Sequence, residues 1–174
     1  MSNLKEKAPH SVKALLDDLG NDDGVVREKA RLELVRMGRP AIDFLAELIE
    51  SSSTTERWEA VKALSQIADP VAAPLLVIAL YDSDYEVRWL ATEGLIKIGN
   101  QSIKPLLEAL TDKPGSLSLR EGAHHVLHDL KNKNRDGLIN EIDEILTALE
   151  SPAAEEEIQL IARKILDNMF LESL

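Results

Sequence analysis

The stretch DSDYEVRWLATEGLIKIG, residues 82–99, decides the fold because its pattern recurs along the chain. Within it, an alanine follows Arg88 by three residues and a leucine follows by seven, and both offsets lie on one side of a helix. Three more arginines have the same surroundings, and the four are 30, 31 and 32 residues apart in succession: Arg27, Arg57, Arg88 and Arg120. A period of roughly 20–50 residues is typical of stacked units, so the sequence predicts a repeat protein.

A second apolar register lies between these helices and makes each unit a helical hairpin. It consists of paired large apolar residues: Leu15-Leu16, Phe44-Leu45, Leu75-Leu76 and Leu106-Leu107. Gly38 and Gly99 are predicted to end helices, and Pro40 and Pro70 to lie in the first turns of the next ones. We therefore expect one domain of five hairpins, at about residues 10–38, 39–68, 69–99, 100–131 and 137–172.

The fifth hairpin departs from the pattern of the others. Its Ile145-Leu146 pair matches the leucine pairs, and Ile158 and Ala162 match Val87 and Ala91 of the third unit. Gln159, however, stands where the repeated arginine is expected, and the insertion 131–137 precedes this unit. Because a terminal repeat has a neighbour on one side only, we interpret this hairpin as a divergent cap.

The pattern of an acidic residue, Val-Arg, and then Ala and Leu at helical spacing resembles HEAT repeats, in particular the short bacterial type named after phycobilisome lyases. The resemblance implies an all-α, right-handed α-α superhelix (solenoid) with its second helices on the concave surface. It also implies that the repeated arginine reaches an acidic residue six positions earlier, as Asp82 and Arg88 are spaced. The other copies have Asn21, Ser51 and Pro114 there, so one full pair is expected. We assign a structural role between repeats to Arg27, Arg57, Arg88, Arg120 and Asp82.

Composition and charge narrow the classes of partner. The chain has 20 Lys plus Arg against 31 Asp plus Glu, and its net charge of −11 disfavours nucleic acid and anionic membranes as partners. It contains no cysteine, which excludes a disulfide framework and a thiolate nucleophile. No apolar run approaches the length of a membrane-spanning helix, so we expect a cytoplasmic protein.

Each second helix is predicted to expose one row of side chains, and we call these rows together the second-helix face. At 100° per residue from Val87, the residues opposite the core in the third unit include Trp89 and Glu93. The same offsets give the four rows Glu28, Arg31, Leu32 and Val35; Trp58, Val61, Lys62 and Ser65; Trp89, Thr92, Glu93 and Ile96; Glu121, His124, His125 and His128.

Both tryptophans of the chain, Trp58 and Trp89, occupy the same repeat position in adjacent units, with Val61 and Ile96 nearby. An indole left in water is a candidate anchor for a partner, because it buries a large area at small entropic cost. The alternative is that each tryptophan folds over the neighbouring hairpin and completes its packing.

Three of the four histidines gather in the fourth row, within LREGAHHVLHDL. His124 and His128 are one turn apart and can direct two imidazoles at a metal, with Glu121 or Glu93 adding an oxygen. HEAT-repeat proteins include deoxyhypusine hydroxylase, whose di-iron centre uses His-Glu pairs, but this chain contains no His-Glu dipeptide. The alternatives are a neutral polar rim, and histidine titration that makes partner binding depend on pH.

The sequence therefore predicts a non-enzymatic interaction or scaffold module that binds a protein or peptide on its concave face, with no cofactor. The predicted partner-binding residues are Trp58, Trp89, Val61, Ile96, Glu93, Glu121, His124, His125 and His128. The alternative function is a metal-binding or lyase-type enzyme that uses the histidine cluster, with His124, His128 and Glu121 as metal ligands. No phosphate-binding glycine loop, nucleophile elbow or dinucleotide fingerprint is present.

Overall fold

The computed structural model describes residues 11–133, 139–151 and 154–171, with the side chains of 139–141 left out. Parts of the first and fifth predicted units, residues 10, 137–138, 152–153 and 172, lie outside this range, as do residues 134–137 of the insertion. Within the described residues every regular element is helical, which confirms the predicted all-α fold. The α-helices are α1 Val12–Leu19, α2 Gly24–Met37, α3 Ile42–Ala46, α4 Thr54–Ile67, α5 Ala73–Ala79, α6 Tyr85–Ile98, α7 Ile103–Asp112, α8 Leu117–Lys133, α9 Ile139–Glu150 and α10 Glu155–Leu171.

The turns between helices follow the glycine and proline signals. Gly38 and Gly99 end α2 and α6 with φ of 67° and 80°, a region that favours glycine because it has no Cβ. Pro40 and Pro70 lie in the first positions of short 3₁₀ turns that lead into α3 and α5. There the missing proline N–H costs no helical hydrogen bond. The predicted helix ends and starts are therefore confirmed at these four positions.

The second helices of successive units pack side by side, α2 on α4, α4 on α6 and α6 on α8. The alanine and leucine that follow each repeated arginine are buried between them. Small residues let these helices approach closely: a Cβ on Gly94 would lie 2.8 Å from Leu76 Cδ1 and 3.1 Å from Ser65 Cα. The first helices cover the other side of the core. At least one residue of each apolar pair is buried there, among them Leu45, Leu76 and Leu106.

The fifth hairpin packs differently from the four before it. Its first helix, α9, lies against α8, and its second helix, α10, lies against α7. Ile158 and Ala162 are buried as predicted, but they are buried on the side of a first helix. Gln159, in the arginine position, donates from Nε2 to the Thr111 carbonyl oxygen at the end of α7, at 2.8 Å. The second helix of the fifth unit, α10, therefore does not continue the row of second helices.

The first three repeated arginines bond the backbone carbonyl of the residue six positions earlier, not an acidic side chain at that position. The Nη1 atoms of Arg27, Arg57 and Arg88 donate to the carbonyl oxygens of Asn21 (2.7 Å), Ser51 (2.9 Å) and Asp82 (2.9 Å). The predicted pair between the Arg88 and Asp82 side chains is therefore wrong. Because every residue has a carbonyl group, the contact persists although the side chain at that position changes from unit to unit.

The carboxylates that meet these arginines come from the next unit. Arg57 donates from Nε and Nη2 to Asp82 Oδ2 and Oδ1, at 2.7 and 3.0 Å. Arg27 donates from Nε to Glu59 Oε1 at 3.2 Å. Arg120, which has Pro114 six positions earlier, donates from Nη2 to the carbonyl oxygens of residues 149 and 151 at the end of α9. Arg27, Arg57 and Arg120 therefore each tie their unit to the next one.

Asp82 is the acceptor at the centre of this ladder. Burial alone raises the pKa of its carboxyl, but the hydrogen bond from Arg57 lowers the pKa, as do the Asp84 backbone N–H and the charges of Arg57 and Arg88. These effects outweigh burial, and the pKa of Asp82 lies below its usual value. The same hydrogen bond raises the pKa of Arg57 against the opposing effect of burial. The pair is therefore ionised at neutral pH.

None of the helices in the described ranges is both long enough and apolar enough to cross a bilayer.

Candidate partner-binding site

The predicted rows of the second-helix face are only partly exposed. Val61 has no exposed surface, and Arg31, Ser65 and Thr92 are also buried. The expectation that these four side chains face solvent is wrong, because α2, α4, α6 and α8 lie side by side and each covers one flank of its neighbour. Val61 therefore cannot contact a partner on this face. Ile96 is half-buried against the core.

The Trp58 indole makes its contacts within the protein. The ring is half-buried and packs on the core. Lys62 Nζ lies 5.2 Å and Arg31 Cζ lies 5.9 Å from the ring centroid, both within the range of cation–π attraction. The packing alternative therefore describes this tryptophan better than an exposed anchor does.

Next to Trp58 in the sequence is a buried carboxylate, Glu59, that sequence reasoning missed. Glu59 accepts hydrogen bonds from Arg27 Nε at 3.2 Å and from Arg31 Nη1. Two arginines on one carboxylate explain why Arg31, predicted to be exposed, turns inward. A signal was available in the alignment of the repeats, because Glu59 stands where the third and fourth units have Leu90 and Gly122.

Trp89 is presented differently from Trp58, because 44% of its surface is exposed. Its ring meets the His125 ring edge to face, with centroids 5.3 Å apart and planes at 63°. The two rings line a cleft of about 200 Å³ between α6 and α8, which we call the Trp89 cleft. Its lining residues are Leu80, Tyr85, Arg88, Trp89, Thr92, Ser118, Glu121, Gly122 and His125.

Two further clefts flank the Trp89 cleft. One, of about 280 Å³, lies between α4 and α6 and includes Trp58, Glu59 and Glu86. The other, of about 490 Å³, lies between α8 and α9, and Glu121 and His125 border both this cleft and the Trp89 cleft. The clefts therefore follow one another across the first turns of successive second helices.

The three clustered histidines have three separate partners. His124 Nε2 lies 3.2 Å from Glu150 Oε1 on α9, and His128 Nδ1 lies 3.3 Å from Asn132 Nδ2. The His124 and His128 rings stack with centroids 6.0 Å apart, while His125 lies against Trp89.

Across the described ranges, no three His, Cys, Asp or Glu side chains are grouped so that they hold a metal ion. The structure therefore does not bring His124, His128 and Glu121 together as ligands. Glu121 instead lines the Trp89 cleft, and Glu93 lies half-buried one turn after Trp89. The described residues also do not fit a di-iron centre, which needs more carboxylate and imidazole donors at one point than any found here.

Comparison with known proteins agrees with this architecture. Residues 12–96 match the family of HEAT repeats. Deoxyhypusine hydroxylase from Rattus norvegicus is 36% identical over 91 residues, which are 51% of this chain and 30% of the enzyme. The chain thus spans less than a third of that relative's length.

The fold of most of the chain also has a counterpart among solved structures. The complex of CpcE and CpcF of phycocyanin lyase from Nostoc sp. PCC7120 contains a chain that is 24% identical, with a TM-score of 0.56. The match covers 87% of the present chain and 97% of that chain. At this identity the likeness shows the fold, and it agrees with the predicted resemblance to phycobilisome-lyase repeats.

Proposed function

We propose that this chain, a HEAT-repeat protein, binds a segment of another protein along the first turns of its second helices, with Trp89 as the anchor. The binding surface consists of the Trp89 cleft and the two clefts beside it. The proposed set of contact residues is the predicted set without the buried Val61. Trp89, Glu93, Glu121 and His125 lie at the centre, and Trp58, Ile96, His124 and His128 lie at the edges.

The exposed indole of Trp89 is the observation that supports this proposal. A tryptophan that keeps 44% of its surface exposed at the edge of a cleft gains burial when a partner covers it. Interface residues that contribute most to binding are typically aromatic or arginine side chains near the centre of the contact. Tyr85, which is 65% exposed, lines the same cleft and enlarges the aromatic surface.

A protein partner is also consistent with the comparisons. The solved structure that this chain resembles is a complex of two proteins, CpcE and CpcF. Stacked helical repeats form long, continuous surfaces from successive units, and such surfaces suit extended or helical segments of a partner.

The test is affinity capture of partners from an extract of the source cell. Wild type is compared with Trp89→Ala and with Ile78→Ala, a matched control because Ile78 on α5 is 46% exposed and lies outside the three clefts. A hot-spot residue contributes about 2 kcal/mol or more, so we expect capture by Trp89→Ala to fall by roughly tenfold or more. Ile78→Ala should capture as wild type does. Equal capture by all three proteins would rule out Trp89 as the anchor.

An enzymatic role is the second candidate, and the 36% identity to deoxyhypusine hydroxylase favours it. In a metal-dependent form, His124, His125 and His128 would have to rearrange to reach one ion, because the described side chains are not grouped as ligands. In a lyase form the chain would act on a bilin. Elemental analysis of protein purified without a histidine tag tests the first form, because a stoichiometric metal is required. A bilin-binding assay tests the second form, and a protein that binds no bilin is not a lyase of that type.

A further inference from the structure

The two tryptophans occupy the same repeat position but have opposite electrostatic surroundings. At Trp58, the cations on the ring come from Lys62 on the same helix and Arg31 on the preceding second helix. In the third unit, the residue aligned with Lys62 is Glu93, and the residue aligned with Arg31 is Val61. Two cations therefore lie near the Trp58 indole, whereas an acidic and an apolar residue hold the aligned positions at Trp89.

Within the described residues, no lysine or arginine lies over the Trp89 ring, whereas Trp58, Tyr81 and Tyr85 each have at least one. The electron-rich face of an indole attracts ammonium and guanidinium groups, more strongly than the ring of tyrosine does. Trp89 is thus the one tryptophan ring still available for such a group.

Three carboxylates close to Trp89 have no partner among the described residues. Glu121 lines the same cleft, Glu93 follows Trp89 by one helical turn, and Glu86 precedes it by three residues. Within the described part of the chain, none of these three side chains forms an ion pair or accepts a hydrogen bond. Their charges remain to attract an external cation.

The arginines that line the clefts do not pair with these carboxylates, because other protein groups already hold their guanidinium groups. Arg88 donates to the carbonyl oxygens of Asp82 and Ser83, at 2.9 and 3.2 Å. Arg120 donates to two carbonyl oxygens at the end of α9, and Arg27 bonds Glu59. Their guanidinium groups are thus held by the turns and by the buried carboxylate.

We propose that the Trp89 cleft recognises a basic protein segment, with an arginine or lysine side chain stacked on the Trp89 indole and paired with Glu121 and Glu93. This inference rests on the proposed function and specifies the chemistry of the partner. A second copy of this chain does not fit as the occupant, because both surfaces would belong to a molecule with a net charge of −11.

The spacing of the clefts indicates how the partner's basic residues are arranged. Packed helices lie about 8–10 Å apart, so successive clefts repeat at about that distance. Three residues of a polyproline II segment make one turn and span about 9 Å, so every third side chain lies on the same face. A segment with basic residues at every third position therefore places one of them at each cleft.

The probe is a fluorescein-labelled nonapeptide with arginine at positions 1, 4 and 7 and serine or alanine elsewhere; its control has glutamate at those three positions. Fluorescence anisotropy gives the dissociation constant of each, at low and at high salt. We expect the arginine peptide to bind at least tenfold more tightly than the glutamate peptide, and its affinity to fall with salt. In Trp58→Phe, Trp89 is the sole tryptophan, and its emission should change on binding.

Glu93→Lys is the decisive variant, because it places a lysine where Lys62 stands relative to Trp58. The new ammonium group should cover the Trp89 ring and weaken binding of the arginine peptide about tenfold or more. Glu47→Lys is the matched control: it makes the same change of charge at an exposed position on the turn after α3 and should weaken binding less than twofold. Circular dichroism confirms that both variants fold.

The outcomes separate this inference from the proposed function. If the two peptides bind equally or not at all, or if Glu93→Lys and Glu47→Lys behave alike, the basic segment is rejected. Trp89-dependent capture of a partner from cell extract would then still support the proposed function. If capture also fails to depend on Trp89, both proposals are rejected together.

Discussion

Replacing Asp82 with asparagine removes one charge from the ladder between the second and third units. In the wild type, the Asp82 carboxylate accepts two hydrogen bonds from Arg57 and one, at 2.8 Å, from the Asp84 backbone N–H. The Asp82 and Arg57 side chains are only 6% and 12% exposed. In Asp82→Asn, the amide oxygen keeps the bond to Asp84. The amide NH₂ group, however, faces a guanidinium N–H group of Arg57, and two donors cannot form a hydrogen bond with each other.

The magnitude follows from the type of bond that is lost. Hydrogen bonds to charged groups contribute about 1.5–3 kcal/mol, and an uncharged pair contributes about half as much. Arg57 keeps its bond to the Ser51 carbonyl oxygen, at 2.9 Å, so its charge is not left without a partner. We therefore expect Asp82→Asn to lower the free energy of unfolding by about 1.5–3 kcal/mol at pH 7, measured by urea denaturation.

The pH dependence of this loss gives a second readout. Because the pKa of Asp82 is lowered in the folded state, its charge stabilises the fold above the unfolded pKa of about 4, and this stabilisation is lost as the pH falls through the lower folded pKa. Asparagine does not titrate. The difference in stability between wild type and variant should therefore be constant above about pH 5 and shrink below about pH 4.

Glu33→Gln is the control for Asp82→Asn. It makes the same chemical change in the pair between Glu33 Oε1 and Arg36 Nη2, at 2.6 Å, whose side chains are 49% and 69% exposed. Exposed ion pairs contribute about 0–1 kcal/mol, so this variant should unfold almost as wild type does. A loss in Asp82→Asn no greater than in Glu33→Gln, or a difference that grows in acid, would refute the ladder as a stabilising link.

Two other substitutions test the packing of the second helices. Gly94→Ala places a Cβ 2.8 Å from a Leu76 methyl and 3.1 Å from the Ser65 Cα. Because the Ser65 backbone cannot move aside, we expect the variant to lose about 1–2 kcal/mol of stability despite alanine's better helix propensity, measured by thermal unfolding. For Gly122→Ala the three nearest atoms all belong to the Leu80 side chain and none to the backbone, so this variant should cost less; equal losses would contradict this interpretation. Glu59→Gln leaves two arginines around a neutral amide and should lower the free energy of unfolding in urea by about 2–4 kcal/mol, whereas a change below 0.5 kcal/mol would mean that this buried charge contributes no net stability.

The sequence predicted the all-α fold and several helix ends, because each helix repeats the same register and its ends are marked by residues with special backbone requirements. Gly38 and Gly99 adopt positive φ, and Pro40 and Pro70 lie at the start of turns. These helix boundaries depend on single residues, so they can be predicted from the local sequence.

Exposure on the second helices was harder to predict than the helices themselves. A helical projection treats each helix alone, but Val61 and Thr92 are covered by the neighbouring second helix, whose position depends on tertiary packing. The same limit explains the fifth hairpin. Ile158 and Ala162 are buried as their register requires, but the register does not specify whether the helix they face is α8 or α7.

The candidate site was predicted in part for a similar reason. The sequence singled out Trp58 and Trp89 as equivalent, and nothing in their shared position separates them. The difference lies in the residues around them: Lys62 and Arg31 lie near one ring, whereas Glu93 and Val61 hold the aligned positions at the other. A comparison of aligned positions in neighbouring repeats would have revealed this contrast before the structure was known.

Site-directed photo-crosslinking tests the central claim most directly. The chain contains no cysteine, so a single cysteine introduced as Ser118→Cys, in the lining of the Trp89 cleft, can carry a benzophenone group at one defined place. Ile78→Cys, at an exposed position on α5, is the control. If a partner segment binds the Trp89 cleft, irradiation in source-cell extract should crosslink a protein to the label at 118 and not to the label at 78, and Trp89→Ala should abolish the product. Equal products from both positions, or a product at 118 that survives Trp89→Ala, would contradict the account.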